Sequence, residues 1–284
     1  MKLLEIRTDA EEMQACSRLL KAAFPHATHH SARYLEWLYR DNPAGTVIGF
    51  NAWEADQLIG HYACIPVDLR LDGQACQGLL ALHTAMHPAY RNAGVIYSLA
   101  RKTIKLATEQ GYACVYAVAN AASTPIFVKA LGFQCVSPLT AAVGWRRLRP
   151  DWGAALAANR FRRHWSAPGA SWRCANPSSA SGLQPGDQGS MVFTAATPYP
   201  LVHAYGLMPV ESALPATGRP AGRGLKLFLG LLPQGTCRFA GYLPIPERLK
   251  PSPLNFIYRP LGSAAPAQLE RNDIILGCQD FDAY

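Results

Sequence analysis

No apolar run in this 284-residue chain reaches the roughly 18 to 20 positions that a bilayer-spanning helix needs. The opening residues, MKLLEIRTDAEEMQ, turn acidic before a signal-peptide core develops, so a cytoplasmic protein with no membrane partner is the expectation. The eight cysteines include no C-x-x-C pair, and their scattered positions among apolar neighbours read as reduced, buried small hydrophobes. Basic residues are not interleaved with aromatics and no zinc-finger spacing occurs, so nucleic acid is not an expected partner. Charge is sparse, at 16% of residues against 49% hydrophobic, which is enough apolar material for one large core or two small ones. The net charge of +8 is spread evenly, with 15 basic and 11 acidic residues over 1–150 and 12 and 8 over 151–284. Neither half is a polybasic tail, and the excess suits an anionic cofactor or a nucleotide-linked substrate.

What is present centres on Leu79 to Ala107, LLALHTAMHPAYRNAGVIYSLARKTIKLA, where an apolar strand passes through a basic, glycine-containing turn into an amphipathic helix. Ile96, Leu99, Ala100, Thr103, Ile104 and Ala107 recur at helical spacing, with Arg101, Lys102, Lys105 and Glu109 opposite. Gly111 terminates that helix, and YACVYAV, from Tyr112 to Val118, reads as a buried strand. Asn120 and Ser123 open a short helix, with Pro125 in its first turn and Gly132 closing it. The first amides of a helix lack partners within it and carry partial positive charge, so the turn before Ile96 is a place for a diphosphate. Arg91 adds a cation there, and Gly94 allows close backbone approach.

The segment from Leu79 to Phe133 resembles the cofactor-binding core of the GNAT superfamily of acyl-CoA-dependent N-acyltransferases. Arg91, Gly94 and Ile96 occupy its Arg-x-x-Gly-x-Gly/Ala turn, with Ile96 departing from the small residue usual there. Asn120, Ser123, Phe127, Lys129 and Leu131-Gly132-Phe133 follow the second half of the signature. The resemblance implies an α+β GNAT fold, a mixed twisted sheet flanked by helices, and acetyl-CoA or another acyl-CoA as co-substrate. It implies cofactor contacts at Thr84, Ala85 and Met86 for the pantetheine arm and at Arg91, Asn92, Ala93, Gly94, Val95 and Ile96 for the diphosphate. Asn120, Ser123 and Phe127 complete the set. The backbone N–H of Ala85 or Met86 would receive the thioester carbonyl. Trp37 with Asn42, Pro43 and Gly45 is similar to GNAT proteins encoded beside polysaccharide-biosynthesis enzymes.

For the base, His83 is the first candidate, since it stands just before the thioester position and imidazole titrates near neutral pH; His87 is second. The acid is open: the family's Tyr position holds Phe127, which leaves Tyr116, Tyr97, water or unassisted thiolate departure. No metal is expected. His26, His29 and His30 lack a Cys or carboxylate at ligand spacing and read as loop residues, and Asp280 and Asp282 read as an alternating strand face. The expected activity is transfer of a short acyl group to an amine on a small molecule, such as an amino sugar, without a covalent intermediate. A protein or peptide acyltransferase and a non-catalytic CoA-binding protein are the alternatives.

Composition divides the chain near 149, into a catalytic domain over 1–149 and a β-rich extension over 150–284. Within the first part the order reads β-α-α-β-β-β-α-β-α-β, with Asp9 capping the first helix, Ser31 opening the second, and Phe133 to Leu148 as the last strand. In the second, DWGAALAANRFRRHW reads as a helix, and 166–190 and 211–224 as Pro/Gly/Ser-rich loops. Strands are expected at Met191 to Ala195, Leu225 to Leu232, Leu254 to Tyr258 and Asp273 to Leu276. Arg146, Arg147, Arg149, Arg160, Arg162 and Arg163 form the densest basic stretch, read as a solvated helix face or a second anion contact.

Overall fold

A computed structural model describes residues 1–281 except 28, 91, 92, 212, 213, 221, 223, 247, 249 and 251. The first part runs β1 (Lys2–Glu5), α1 (Ala10–Ala23), α2 (Ala32–Tyr39), β2 (Ile48–Glu54), β3 (Gln57–Leu71), β4 (Gln74–Met86), α3 (Ala93–Glu109), β5 (Cys114–Ala119), α4 (Thr124–Leu131) and β6 (Gln134–Pro138). This is the expected order. The remainder is β7 (Thr140–Gly144), α5 (Trp152–Ala158), β8 (Phe161–Arg163), α6 (Ala167–Cys174), β9 (Ser181–Pro185), β10 (Ser190–Ala196), β11 (Val202–Pro209), β12 (Thr217–Gly218), β13 (Leu225–Gly230), β14 (Tyr242–Pro244), β15 (Asn255–Pro260) and β16 (Ile274–Ile275). Among the described residues, no helix is long and apolar enough to cross a membrane.

Local chemistry accounts for the helix ends. The Asp9 side chain accepts from Glu12 N–H and the Ser31 hydroxyl from Tyr34 N–H, each satisfying an amide that the first helical turn leaves over. Gly132 closes α4 in the left-handed region at φ 68°, and its N–H bonds the Phe127 carbonyl.

Two sheets result. The first runs β1-β2-β3-β4-β5-β15-β6, with β8 joining β3 and β16 joining β8; β4 and β5 are parallel while their outer neighbours are antiparallel. Apolar residues of α1 and α2, such as Met13, Leu20, Leu35 and Tyr39, pack on one face of this sheet. Those of α3 and α4, including Leu99, Ile104, Phe127 and Leu131, pack on the other. The second sheet runs β12-β9-β10-β11-β13-β7-β14. The division near 149 is crossed in both directions: β7 lies in the second sheet, and β15 enters the first between β5 and β6.

Several local readings are corrected. Phe133 to Leu148 is not one strand but two, since β6 and β7 serve different sheets. The helix expected through Trp165 stops at Ala158, where Asn159 turns the chain: its amide side chain donates to the Phe161 and Asp273 carbonyls, and 161–163 becomes β8. The segment 166–190 is not a loop. The Ser166 hydroxyl accepts from Gly169 N–H and caps α6, with Pro168 in its first turn, and β9 follows. α6 docks on α2 through Trp37 and Trp172, whose rings stack at 4.8 Å and whose indole N–H groups each donate to the other's carbonyl at 2.9 Å. Asp280 is not on a strand face but buried in a 3₁₀ turn; Asp282 lies outside the described residues. The basic stretch is mostly paired. Arg149 meets Asp187, Arg160 meets Asp72, Arg162 meets Glu211, and Arg163 lies over the Trp165 ring.

Candidate active site

The site begins where two strands part. β4 and β5 pair only at Leu79 with Val115 and Leu80 with Tyr116, although β4 continues on β3 to Met86 and β5 on β15 to Ala119. Beyond Leu80, the facing edges of residues 81–86 and 117–119 therefore share no ladder, and main-chain donors and acceptors line a wedge between them. Backbone polar groups in such a place need a partner, which an amide-rich ligand can supply. α3 starts beyond the end of β4. Gly94 is exposed, whereas Val95 and Ile96 are turned into the helix–sheet core. Arg91 and Asn92 lie outside the described residues, as does the Ala93 side chain.

His83 stands at a bulge on the rim of this wedge. Leu82 opposes Ala63 and Ala85 opposes His61, so His83 and Thr84 together face the single residue Tyr62. His83 takes φ 47°, a left-handed conformation that a non-glycine residue adopts at a cost. The bulge breaks the alternation of faces. In a regular strand residue 83 would share the side of Tyr62, among the α3 and α4 contacts. Instead its imidazole lies on the opposite side, against Tyr39 of α2.

A buried chain of hydrogen bonds leads away from it. His83 Nδ1 is 2.7 Å from the Tyr39 hydroxyl, which is 2.8 Å from His61 Nε2. His61 Nδ1 is 2.6 Å from Asn51 Oδ1, and Asn51 Nδ2 donates to Glu12 Oε1 at 2.7 Å. Glu12 also accepts from Arg7 N–H and pairs with the Arg7 guanidinium at 3.0 Å. Tyr39, His61 and Asn51 are wholly buried and Glu12 nearly so. Burial, aided by the fields of His83 and His30, drives His61 down to about 3, and burial lifts the neighbouring Cys16 thiol to about 12, so both are neutral at physiological pH. Sequence reasoning missed Tyr39, His61, Asn51 and Glu12. The available signal was polar residues at inward positions of apolar strands, in IGFNAWE and QLIGHYACI.

Aromatic rings surround His83: His30 at 5.0 Å, Tyr39 at 5.8 Å and Tyr34 at 6.1 Å between centroids. The reading of His29 and His30 as plain loop residues is incomplete. Nitrogens of His29, His30 and His83 lie within 4.8 Å of one another, His83 being the member that sequence spacing cannot reveal, and His26 is not in the group. A tetrahedral zinc ion needs nitrogens about 3.3 Å apart, so these rings would have to draw in to hold one.

The other sequence candidates scatter. Thr84 and Met86 are half-buried along the wedge, Ala85 faces the core, and His87 continues the strand by donating its N–H to the Ile59 carbonyl. Asn120 sits beyond the end of β5, where its Oδ1 accepts from Ala122 N–H, Ser123 N–H and the Ser123 hydroxyl. Phe127 is buried, edge-on to Phe133 at 5.1 Å. Tyr116 is not brought to His83 by any bond: it is wholly buried between Phe161 and Phe256, and its hydroxyl donates to the Asp280 carbonyl at 2.6 Å. Burial raises its pKa above the ordinary tyrosine range.

The sequence profile of the GNAT acetyltransferase domain matches residues 6–136, a span holding the parted strands, the bulge and the turn into α3. Residues 6–136 are a GNAT acetyltransferase domain. The GNAT family draws its acyl group from acyl-CoA and delivers it to an amine, so N-acyltransferase chemistry belongs to this domain. Solved structures share the architecture at low identity. A conserved protein of unknown function from Enterococcus faecalis V583 aligns with TM-score 0.58 and 11% identity over 92% of this chain and 72% of its own. A GCN5-related N-acetyltransferase from Anabaena variabilis ATCC 29413 gives 0.56 and 12% over 92% and 73%. Eis1 from Mycobacterium abscessus gives 0.51 and 12% over 75% and 60%. These likenesses concern the fold, GNAT domain and β-rich remainder together. No curated protein matches the chain significantly.

Proposed function

We propose that the protein transfers an acetyl or other short acyl group from acyl-CoA to the amine of a small molecule, with His83 as general base. The observation that carries this reading is a titratable imidazole placed by a bulge at the rim of the parted strands, inside the GNAT domain. The thioester lies along the edge of β4, its carbonyl receiving backbone N–H at Ala85 or Met86, and the diphosphate rests on the amides opening α3. The neutral amine attacks the thioester carbon and the new C–N bond forms. His83 takes the amine proton, the C–S bond breaks, and the thiolate is reprotonated from water. A thiol titrates near 8.5, so the leaving group needs no strong acid; this accommodates Phe127 in the family's Tyr position and Tyr116 tied to Asp280.

His30, Tyr34 and Tyr39 pack around His83 and are themselves buried, so they hold the imidazole in place rather than meet the acceptor.

Calorimetry with acetyl-CoA, followed by thiol-release assays on amino sugars, other small amines and peptides, tests the proposal. Binding with release driven by small amines is expected, while absence of acetyl-CoA binding overturns it. His83→Gln is expected to lower kcat roughly a hundredfold and leave acetyl-CoA affinity within about twofold, the usual contribution of a positioned base.

A further inference from the structure

The geometry points to Glu12, Asn51, His61 and Tyr39 as positioning residues that fix which nitrogen of His83 carries the proton. This rests on the reading of His83 as the base. The polarity can be traced one bond at a time. Glu12 faces the Arg7 backbone N–H and the Arg7 guanidinium, so it meets Asn51 as an acceptor. Asn51 must then present its NH₂ to Glu12 at 2.7 Å and its carbonyl oxygen to His61. A carbonyl oxygen only accepts, so His61 carries its proton on Nδ1, 2.6 Å away. A neutral His61 has one ring proton, and burial keeps it neutral, so its Nε2 accepts from the Tyr39 hydroxyl at 2.8 Å. The single hydroxyl proton is thereby committed, and the Tyr39 oxygen faces His83 Nδ1 at 2.7 Å as an acceptor. His83 therefore holds its proton on Nδ1 and keeps Nε2 deprotonated; that atom is buried in this structure, so it receives the amine proton once an acceptor has opened a way to it.

No hydrogen bond of the chain reverses during the reaction. When Nε2 takes the proton, as C–N forms and C–S breaks, Nδ1–H still donates to Tyr39 and every other bond in the chain keeps its direction. Five residues from α1, α2, β2, β3 and β4 thus act as one oriented string, and its anchor is a carboxylate four hydrogen bonds from the base.

Long-range ¹H–¹⁵N correlation spectra of the full chain, with His83 assigned by comparison with His83→Gln, read the tautomer directly and require no acyl-CoA. In its neutral form, wild-type His83 is expected to show a protonated Nδ1 and a deprotonated Nε2. Tyr39→Phe removes the acceptor, and Glu12→Gln, nearly isosteric, lets the Asn51 amide turn over. Each is expected to lose that pattern and to lower kcat roughly tenfold, with acetyl-CoA affinity unchanged and melting temperatures confirming that both variants fold. A protonated Nε2 in the wild type, or an unaltered pattern in both variants, overturns the proposal. If the expected tautomer is seen while no amine is acylated, the positioning stands and the acyl-transfer reading fails.

Discussion

At the scale of single residues, two departures from the GNAT signature have structural explanations. Ile96 is 8% exposed and packed with Leu99 and Ala100, so its side chain belongs to the α3 core. Phe127 fills space against Phe133, with the Tyr62 ring 6.3 Å away. Phe127→Tyr, which restores the family residue, is expected to place a hydroxyl where burial leaves it without water. A loss of about 1 to 3 kcal/mol of stability, with no gain in kcat, should appear in denaturant melts and rate assays. His83 stands out as a candidate from its place in the motif. Its partners do not, because Glu12, Tyr39, Asn51 and His61 are gathered from four elements and no local spacing links them.

At the scale of elements, the helices with a clear cap followed the sequence closely, as Asp9 and Ser31 show. α6 was hidden because Ser166 and Pro168, good start signals, lie in a stretch whose composition reads as loop. The strand β8 was read as helix since Arg160, Arg162 and Arg163 suit either state, and what decides is pairing with Leu69 to Leu71 far away in sequence. The bulge in β4 was equally silent, yet it governs the site. Deleting Thr84 is expected to restore one-to-one pairing with Tyr62 and swing residue 83 to the α3 side. The fold should persist with a lowered melting temperature, while the His83 tautomer signature and acyl transfer are both lost.

At the scale of the molecule, acid response reflects two buried groups pulling in opposite directions. His61, faced by His83, His30, Tyr39, Cys16, Glu12 and Asn51, titrates at about 3 when folded, so the unfolded chain binds more protons below about 6.5 and stability falls as pH drops toward 3. Linkage puts that loss at about 2 kcal/mol by pH 5. Asp280, held between Trp165, Gly277 N–H and the fields of Arg163 and Arg173, is raised by burial to about 6. Its ionisation costs stability as pH rises from about 3.8 through 6, and protonation returns about 1 kcal/mol by pH 5. The wild type is therefore expected to lose little between pH 7 and 5. His61→Gln should become more stable over that range and Asp280→Asn should lose stability more steeply, as thermal melts at both pH values will show.

The two halves are equally bound together by topology. Phe256, Ile257 and Tyr258 of β15 are wholly buried in the first sheet, so a chain ending at residue 149 should expose the edge of β5 and fail to give a cooperative melt or bind acetyl-CoA.

The place of β15 also sets a timetable for biosynthesis. Residues 255–260 buttress β5, the far wall of the wedge, yet they leave the ribosome well over a hundred residues after the turn into α3. The wedge is thus completed only after residues 255–260 have emerged, and chains that stop short of them hold a sheet with the edge of β5 still open.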